Sequence, residues 1–450
     1  MAIWWMTEAI PVYATALLPL ALFPAGGAAS MREAAAPYAH ELIFLFMGGF
    51  VIALSMRRWG LHRRFALTVV RRAGAEPHRM VGGFMLVTAI ISMWVSNTAT
   101  AMMMLPIATS VIDLVRQGGE PDAETRNFSV CLLLGIAYAA SIGGIGTLIG
   151  TPPNLFMASY VEDILGVEIG FARWMAIGVP LVAILLPATW LLMTRVIYPF
   201  KMTRIEGGSG LDDQYRELGA MKRGERITLI VAALTAGAWI ARPLLTRIQV
   251  AGAHPLGGLT DTGIAMIAAL SLFMIPVDIG SRTFTMDWET ASGLPWGLLL
   301  LFGGGLSLAS AIEANGVGEL IGSMAGALSG IPGVAIVVLV TAMAASITEL
   351  VSNTAAAATL LPILGALAPG LGLDPLLLVI PAAIAASCAF MLPVSTPPNA
   401  IVFGSGYVSI PQMCRVGFWL NVVSVIVITV LAYAVIVPLM GIGAGPQGAP

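Results

Sequence analysis

Lysine is nearly absent from this 450-residue chain: Lys201 and Lys222 are the only two, and neither follows a Gly-x-x-x-x-Gly run. That excludes a Walker A phosphate loop, and with it an ATP motor carried by the chain itself. Cysteine is scarce too. Cys131, Cys388 and Cys414 all fall in apolar stretches, which argues against a disulfide framework or a cysteine zinc site. The four histidines, His40, His62, His78 and His254, lack ligand spacing. Charged residues make up 10% of the chain with a net charge of −2, and no basic stripe offers a surface for nucleic acid. The start of the sequence shows neither a basic leader nor a small-residue cleavage site, so no cleaved signal peptide is expected.

What is plentiful is apolar length. Hydrophobic residues make up 58% of the chain, and the mean hydropathy is +0.90. Runs such as 174–193, 227–240 and 416–437 approach or exceed the length needed to cross a bilayer. Backbone groups in hydrocarbon must pair within their own segment, and no run shows the two-residue alternation of a membrane barrel. The expected class is an all-α polytopic membrane protein. Helices are expected at 10–24, 41–58, 174–197, 227–248, 262–276, 294–312 and 416–438. Re-entrant hairpins are expected at 80–107 and 332–363, and broken helices at 128–160 and 376–406.

Arginine then sets the orientation. Segment 57–79 carries seven arginines, and 195–226 carries seven Lys/Arg. With Arg116, Arg126, Arg282 and Arg415, this places 18 of 22 basic residues on one face, leaving Arg32, Arg173, Arg242 and Arg247 on the other. By the positive-inside rule the rich face is cytoplasmic. The asymmetry holds only if both hairpins enter and leave on the same side.

The two halves share one register. Leu45, Phe46, Gly48, Gly49, Ala53 and Gly60 match Leu301, Phe302, Gly304, Gly305, Ala309 and Gly316 at an offset of 256. The same offset carries Ser96-Asn97-Thr98-Ala99 onto Ser352-Asn353-Thr354-Ala355, while Thr151-Pro152-Pro153-Asn154 reappears at Thr396-Pro397-Pro398-Asn399 at an offset of 245. Because the hairpins open to opposite faces, the repeat is inverted, a pattern of secondary transporters. The division read is a first repeat over 1–197, a cytoplasmic connector over 198–226 and a second repeat over 227–450. The first repeat looks short at its N-terminus, which suggests a missing native segment or a late initiating Met.

The repeated motifs have chemistry suited to ions. Ser, Asn and Thr at a hairpin tip offer uncharged donors and acceptors, and a broken helix frees backbone N–H groups for an anion and carbonyls for a hard cation. Ser92 precedes Ser96 by four residues and Thr348 precedes Ser352 by four, so each pair shares a helix face. The paired prolines should unwind 128–160 near 146–154 and 376–406 near 393–399. Gly143, Gly144, Gly146 and Gly150 are expected to make the first break the looser one. Glu349 has Met93 as its counterpart, so symmetry argues for a hydrogen-bonding or ion-pair role rather than a proton relay.

These two Ser-Asn-Thr tips and two Thr-Pro-Pro-Asn breaks, with Trp4-Trp5-Met6-Thr7-Glu8-Ala9-Ile10-Pro11 near the start, resemble the divalent anion:sodium symporter family from end to end. The resemblance implies a homodimer with a fixed scaffold and an elevator-type transport domain in a bacterial inner membrane, and Na⁺ as coupling ion. It implies Na⁺ ligands at Ser92, Ser96, Asn97 and Gly150 in one half, and at Thr348, Val351, Asn353 and Ser395 in the other. Substrate carboxylates would meet Asn97, Thr98 and Thr151, and Asn353, Thr354, Thr396 and Pro397. No Arg or Lys falls in the four motifs, so cations must neutralise a dianion. The expected activity is Na⁺-coupled uptake of a C4-dicarboxylate such as succinate, malate or fumarate. Sulfate or citrate carriage and cation-independent exchange stay open, as do, more remotely, a channel or a membrane enzyme subunit.

Overall fold

A computed structural model describes residues 1–74, 76–116, 122–202, 215–249, 253–325 and 330–442. Residues 203–214 of the connector, including Arg204, lie outside these residues. Among those described, seven helical runs are long and apolar enough to cross a membrane, from Met31–Arg58 to Ile410–Met440.

The first half opens with α1 (Ala2–Thr7), α2 (Val12–Thr15), α3 (Leu18–Gly26) and α4 (Met31–Ala35). The single helix expected over 10–24 is therefore two, because Pro19 in the first turn of α3 starts a new helix instead of continuing α2. α5 (Glu41–Arg58) is capped by the His40 ring, which accepts from the Leu42 N–H at 3.2 Å, and ends on Arg57 and Arg58, where cations suit the helix dipole. The amphipathic α6 (Leu61–Ala73) leads into the hairpin of α7 (Pro77–Ser92) and α8 (Asn97–Arg116). The broken helix follows as α9 (Ala123–Gly144) and α10 (Pro152–Leu165), then α11 (Phe171–Leu191).

The second half repeats the plan. α12 (Arg223–Leu245) and α13 (Asp261–Met274) precede a two-stranded antiparallel turn of β1 (Pro276–Asp278) and β2 (Thr283–Phe284) and the short α14 (Trp288–Ser292). α15 (Trp296–Ala314) matches α5, and α16 (Val317–Ala325) matches α6. α17 (Gly333–Thr348) and α18 (Asn353–Gly370) form the second hairpin. α19 (Leu376–Ala385) and α20 (Pro397–Gly404) form the second broken helix, and α21 (Ile410–Leu431) and α22 (Val437–Met440) close the described chain.

Three features depart from the sequence reading. The returning arms of the hairpins continue past 107 to Arg116 and past 363 to Gly370, since Pro106 and Pro362 are accommodated inside them. The amphipathic α6 and α16 were not expected; α6 is too short and polar, and α16 too short, to register as a span. The second break, 386–396, is longer than the first, 145–151, so the glycine-rich break is the tighter one. Small residues allow close turns there, whereas other groups take up the second break's backbone, as described below.

Each hairpin packs on its own broken helix, α7 on α9 and α17 on α19, while α8 and α20 pack across the halves. Around this core unit stand α5, α12, α13 and α15, with α5 packed on α13 and α10 packed on α15. Gly305 on α15 gives the Phe156 ring of α10 room at that crossing. On the arginine-rich side, α6 is pinned to the frame by buried charges. Arg64 Nε donates to Glu225 at 2.9 Å, and its Nη1 donates to the Gly219 carbonyl at 3.0 Å. Nearby, Arg58 pairs with Asp287 at 2.5 Å; the Thr290 backbone N–H, followed by Arg58, holds the Asp287 carboxyl below its ordinary range. Removing one partner of a buried pair strands the other charge. Arg64→Ala should therefore cost about 3 kcal/mol, seen as a marked fall in detergent melting temperature, while Arg63→Ala on the exposed face of α6 leaves melting nearly unchanged.

Candidate binding site at the paired helix breaks

A helix interrupted inside an apolar core leaves carbonyls and N–H groups without partners, and each must be satisfied locally. In the first half the Asn154 side-chain amide does most of this. Its Nδ2 donates to the carbonyls of Gly144 (3.1 Å), Ile145 (3.3 Å) and Thr147 (2.8 Å). Trp174 Nε1 adds a second donor to Ile145 O at 2.9 Å. In the second half Asn399 Nδ2 reaches Ala389 O (3.2 Å), Leu392 O (3.0 Å) and Ser395 Oγ (3.2 Å). Residues 10 and 7 positions before the asparagine are bridged in both halves, so each Thr-Pro-Pro-Asn motif is a staple across its own break. The prolines also begin the next helix, occupying the first turn of α10 and α20, where an N–H would be unpaired. The motifs pointed to unwinding; this stapling by Asn154 and Asn399 was missed, although the paired asparagines were visible in the repeat.

The hairpin tips lie against these breaks. Ser92 Oγ sits 2.6 Å from Asn97 Oδ1 and 2.7 Å from Ala140 O. In the second half, Thr348 Oγ1 lies 2.9 Å from Asn353 Oδ1 and 2.7 Å from Ala386 O. A hydroxyl has one proton, so it can serve only one of its two acceptors. Each half therefore gathers more oxygen than it can pair, and that surplus fits a small cation. Glycine makes the approach possible. A Cβ on Gly144 would come within 2.6 Å of Asn97 Oδ1 and 3.1 Å of the Gly150 carbonyl, and one on Gly150 would collide with the Gly144 carbonyl.

Between the halves is a cavity of about 770 Å³. Its walls include Asn97, Thr98, Thr151, Asn353, Thr354, Thr396 and Pro397, the residues expected to meet substrate. Ser96, Gly150 and Ser395 also line it. Ser92 and Thr348 are fully buried behind the tip asparagines, and Val351 is buried in the turn between α17 and α18. The frame supplies the rest of the wall: Glu8, Tyr13, Phe50, Arg57, Pro295 and Leu298. Sequence reading missed these, because only the packing of the α1–α2 segment, α5 and α15 around the core unit brings them to the cavity. The cavity contacts Arg57 and Gly293, at the arginine-rich end of α5 and before α15, so it opens toward the arginine-rich face. On the far side the tip of the first hairpin is covered, with Trp94 stacked near Trp239 and Phe171.

The staples carry a direct stability test. Asn154→Ala and Asn399→Ala each leave buried acceptors unpaired and should cost about 2 kcal/mol, read as a lowered melting temperature in detergent. Asn154→Asp should be worse than Asn154→Ala, because it turns a carboxylate toward three carbonyl oxygens.

Comparison with known proteins places this architecture. Residues 1–442 match the sodium:sulfate symporter transmembrane region. The chain is 42% identical over 446 residues to a protein of Staphylococcus saprophyticus named sodium-dependent dicarboxylate transporter SdcS, covering 98% of this chain and 85% of that one. It is also 42% identical over 447 residues to the protein of the same name from Staphylococcus aureus strain USA300, with the same coverage. Among solved structures, the Alcanivorax borkumensis YdaH transporter superposes with a TM-score of 0.60 at 16% identity, over 92% of this chain and 87% of that one. Neisseria gonorrhoeae MtrF superposes with a TM-score of 0.61 at 13% identity, over 92% and 84%. These two share the fold. From its family match and its relatives, this multi-pass membrane protein belongs to the sodium:sulfate symporter family.

Proposed function

We propose that the chain couples Na⁺ entry to uptake of a C4-dicarboxylate, such as succinate, malate or fumarate, across a bacterial plasma membrane. The observation that carries this reading is the pair of neutral oxygen clusters at Ser92–Asn97 and Thr348–Asn353, whose tip asparagines both line one cavity. Neutral cages gain charge only when cations enter, and the cations then attract an anion between the tips. The tip asparagines and threonines, with Thr151, Thr396 and Pro397, would orient its carboxylates. Relatives named sodium-dependent dicarboxylate transporters support the choice of ion and substrate class.

Movement would be of the elevator kind, in which the core unit slides within the frame and the frame pairs with a second copy of the chain. Three contacts join frame to core unit on the side opposite the cavity mouth. His40 Nε2 lies 3.0 Å from Asp163, Arg242 lies 2.6 Å from Glu168, and Asp261 accepts from the Phe171 N–H at 2.7 Å. Their position favours an inward-open state, from which outward travel would break all three. With two Na⁺ per dicarboxylate the cycle is electroneutral; a third would make each cycle worth about 2.3 kcal/mol per 100 mV.

The test is radiolabelled succinate uptake into proteoliposomes under an inward Na⁺ gradient, matched against choline, with sulfate and citrate as competitors. Uptake is expected with Na⁺ only and should be blocked by malate and fumarate. Uptake in choline that requires internal dicarboxylate would make the protein an exchanger, and inhibition by sulfate alone would shift the substrate class. Asn97→Ala, Asn353→Ala and Gly150→Ala should insert normally yet lose at least about a hundredfold in rate, as expected when a positioned group is displaced by an ångström. Near-normal uptake by both asparagine variants would refute the site.

A further inference from the structure

The two breaks share a plan but differ in one buried charge. Glu349 stands at the tip of the second hairpin, one residue past α17, and is almost fully buried. Its carboxylate accepts from the backbone N–H groups of Phe390 (2.7 Å), Met391 (3.0 Å) and Leu392 (3.3 Å), and from Asn421 Nδ2 on α21 at 2.8 Å. All four are neutral donors, so the contacts hold the negative charge without cancelling it. Three successive N–H groups converging on one point form a concave anion site. In this protein the chain fills that site with its own carboxylate.

The first half does without such a charge. Met93, the counterpart of Glu349, packs its side chain against Gly146, and its carbonyl accepts from Thr147 Oγ1 at 2.5 Å. The first break closes by tight backbone turns instead, with Ile145 N donating to Ile142 O at 3.1 Å and Gly146 N to Gly143 O at 2.9 Å. Glu349 directly follows Thr348, whose hydroxyl belongs to the second oxygen cluster, and the N–H groups it holds lie in the segment stapled by Asn399. The carboxylate therefore belongs to the same hairpin tip and helix break as one oxygen cluster and has no equivalent at the other.

We propose that Glu349 is a positioning residue for the cation site of the second half: it orders the 389–395 break and supplies a fixed negative charge that makes this site bind a monovalent cation more tightly than the neutral site of the first half. The proposal rests on the sodium-coupled reading above. It predicts ordered loading, with the second half filling first and substrate following once both clusters are occupied. No proton transfer is involved; the carboxylate acts through its charge and its four donors.

The experiment follows melting temperature of the purified protein in detergent as NaCl replaces choline chloride at constant ionic strength, without substrate. Glu349→Gln keeps the shape but removes the charge, and should raise the half-saturating Na⁺ concentration about tenfold, as one unscreened charge at close range can do. Glu349→Asp keeps the charge and should stay within about threefold of the parent. Met93→Leu, in the other half, should leave the midpoint unchanged. An unshifted midpoint in Glu349→Gln, even with lower melting at zero Na⁺, would overturn the proposal by reducing Glu349 to a structural tie. A Glu349→Asp midpoint as displaced as that of Glu349→Gln would also overturn it. Should Glu349→Gln fail to fold, the Asp variant decides alone: charge retention with a near-parental midpoint supports the role, and a tenfold shift refutes it. A parent protein that melts identically in Na⁺ and choline would overturn the sodium reading itself, a result distinct from an unshifted variant of a responsive parent.

Discussion

Backbone amides and carbonyls surrounded by hydrocarbon or packed side chains must find partners inside the chain, and this structure is organised around that demand. A continuous helix meets it automatically. Two helices here do not continue, and several groups near their breaks repair the loss. Asn154 and Asn399 bind the carbonyls on the far side of each break, hairpin hydroxyls bind Ala140 O and Ala386 O, and glycines let neighbouring backbones approach. Gly178 on α11 lies against the Ile145 carbonyl, and Gly417 on α21 lies against the backbone of Phe390. A side chain at either place would push the break away from its supporting helix.

Repair reaches several carbonyls at each break and stops short at the tips. Ser92 and Thr348 each have one proton for two acceptors, so each cluster retains unpaired oxygen lone pairs. The same low-dielectric surroundings that penalise unpaired oxygen make it attractive to a cation. No charged side chain belongs to either cluster itself. Arg57 and Glu8 are on the cavity wall supplied by the frame, and Glu349 is turned from the cavity into its own ring of donors. On the proposed reading, a substrate anion in such a site would be held by mobile cations and by dipoles.

The repeat is a shared plan executed with different parts. Threonine replaces serine at the buried hydroxyl, and Thr396 caps α20 by accepting from the Asn399 N–H, while Thr151 makes no such bond at α10. Glycine turns close one break and a carboxylate closes the other. The halves thus present equivalent geometry to a ligand lying between them while differing in electrostatics, which is what unequal cation sites require.

The periodic apolar runs, the arginine distribution and the doubled polar motifs were enough to establish a helical membrane protein with two hairpins and two broken helices, and to select Asn97, Thr98, Asn353 and Thr354 as tip residues. These signals are local: bilayer length, helix-breaking proline and polar residues in an apolar stretch can each be read within a window of the chain. The amphipathic α6 and α16 were missed because short helices carry little hydropathy signal. The greater length of the second break was missed because the groups that hold it, Glu349 and Asn421, are 41 and about 30 residues from Phe390 in sequence. The direction in which the cavity opens, and the contribution of Glu8, Tyr13 and Arg57 to its wall, followed only from how the frame packs on the core unit. The amino-acid sequence by itself determined which backbone segments break and which polar groups are available to repair them. Tertiary structure decided which repair each group performs, because a hydrogen bond depends on distance in space and the donors and acceptors concerned come from separate helices.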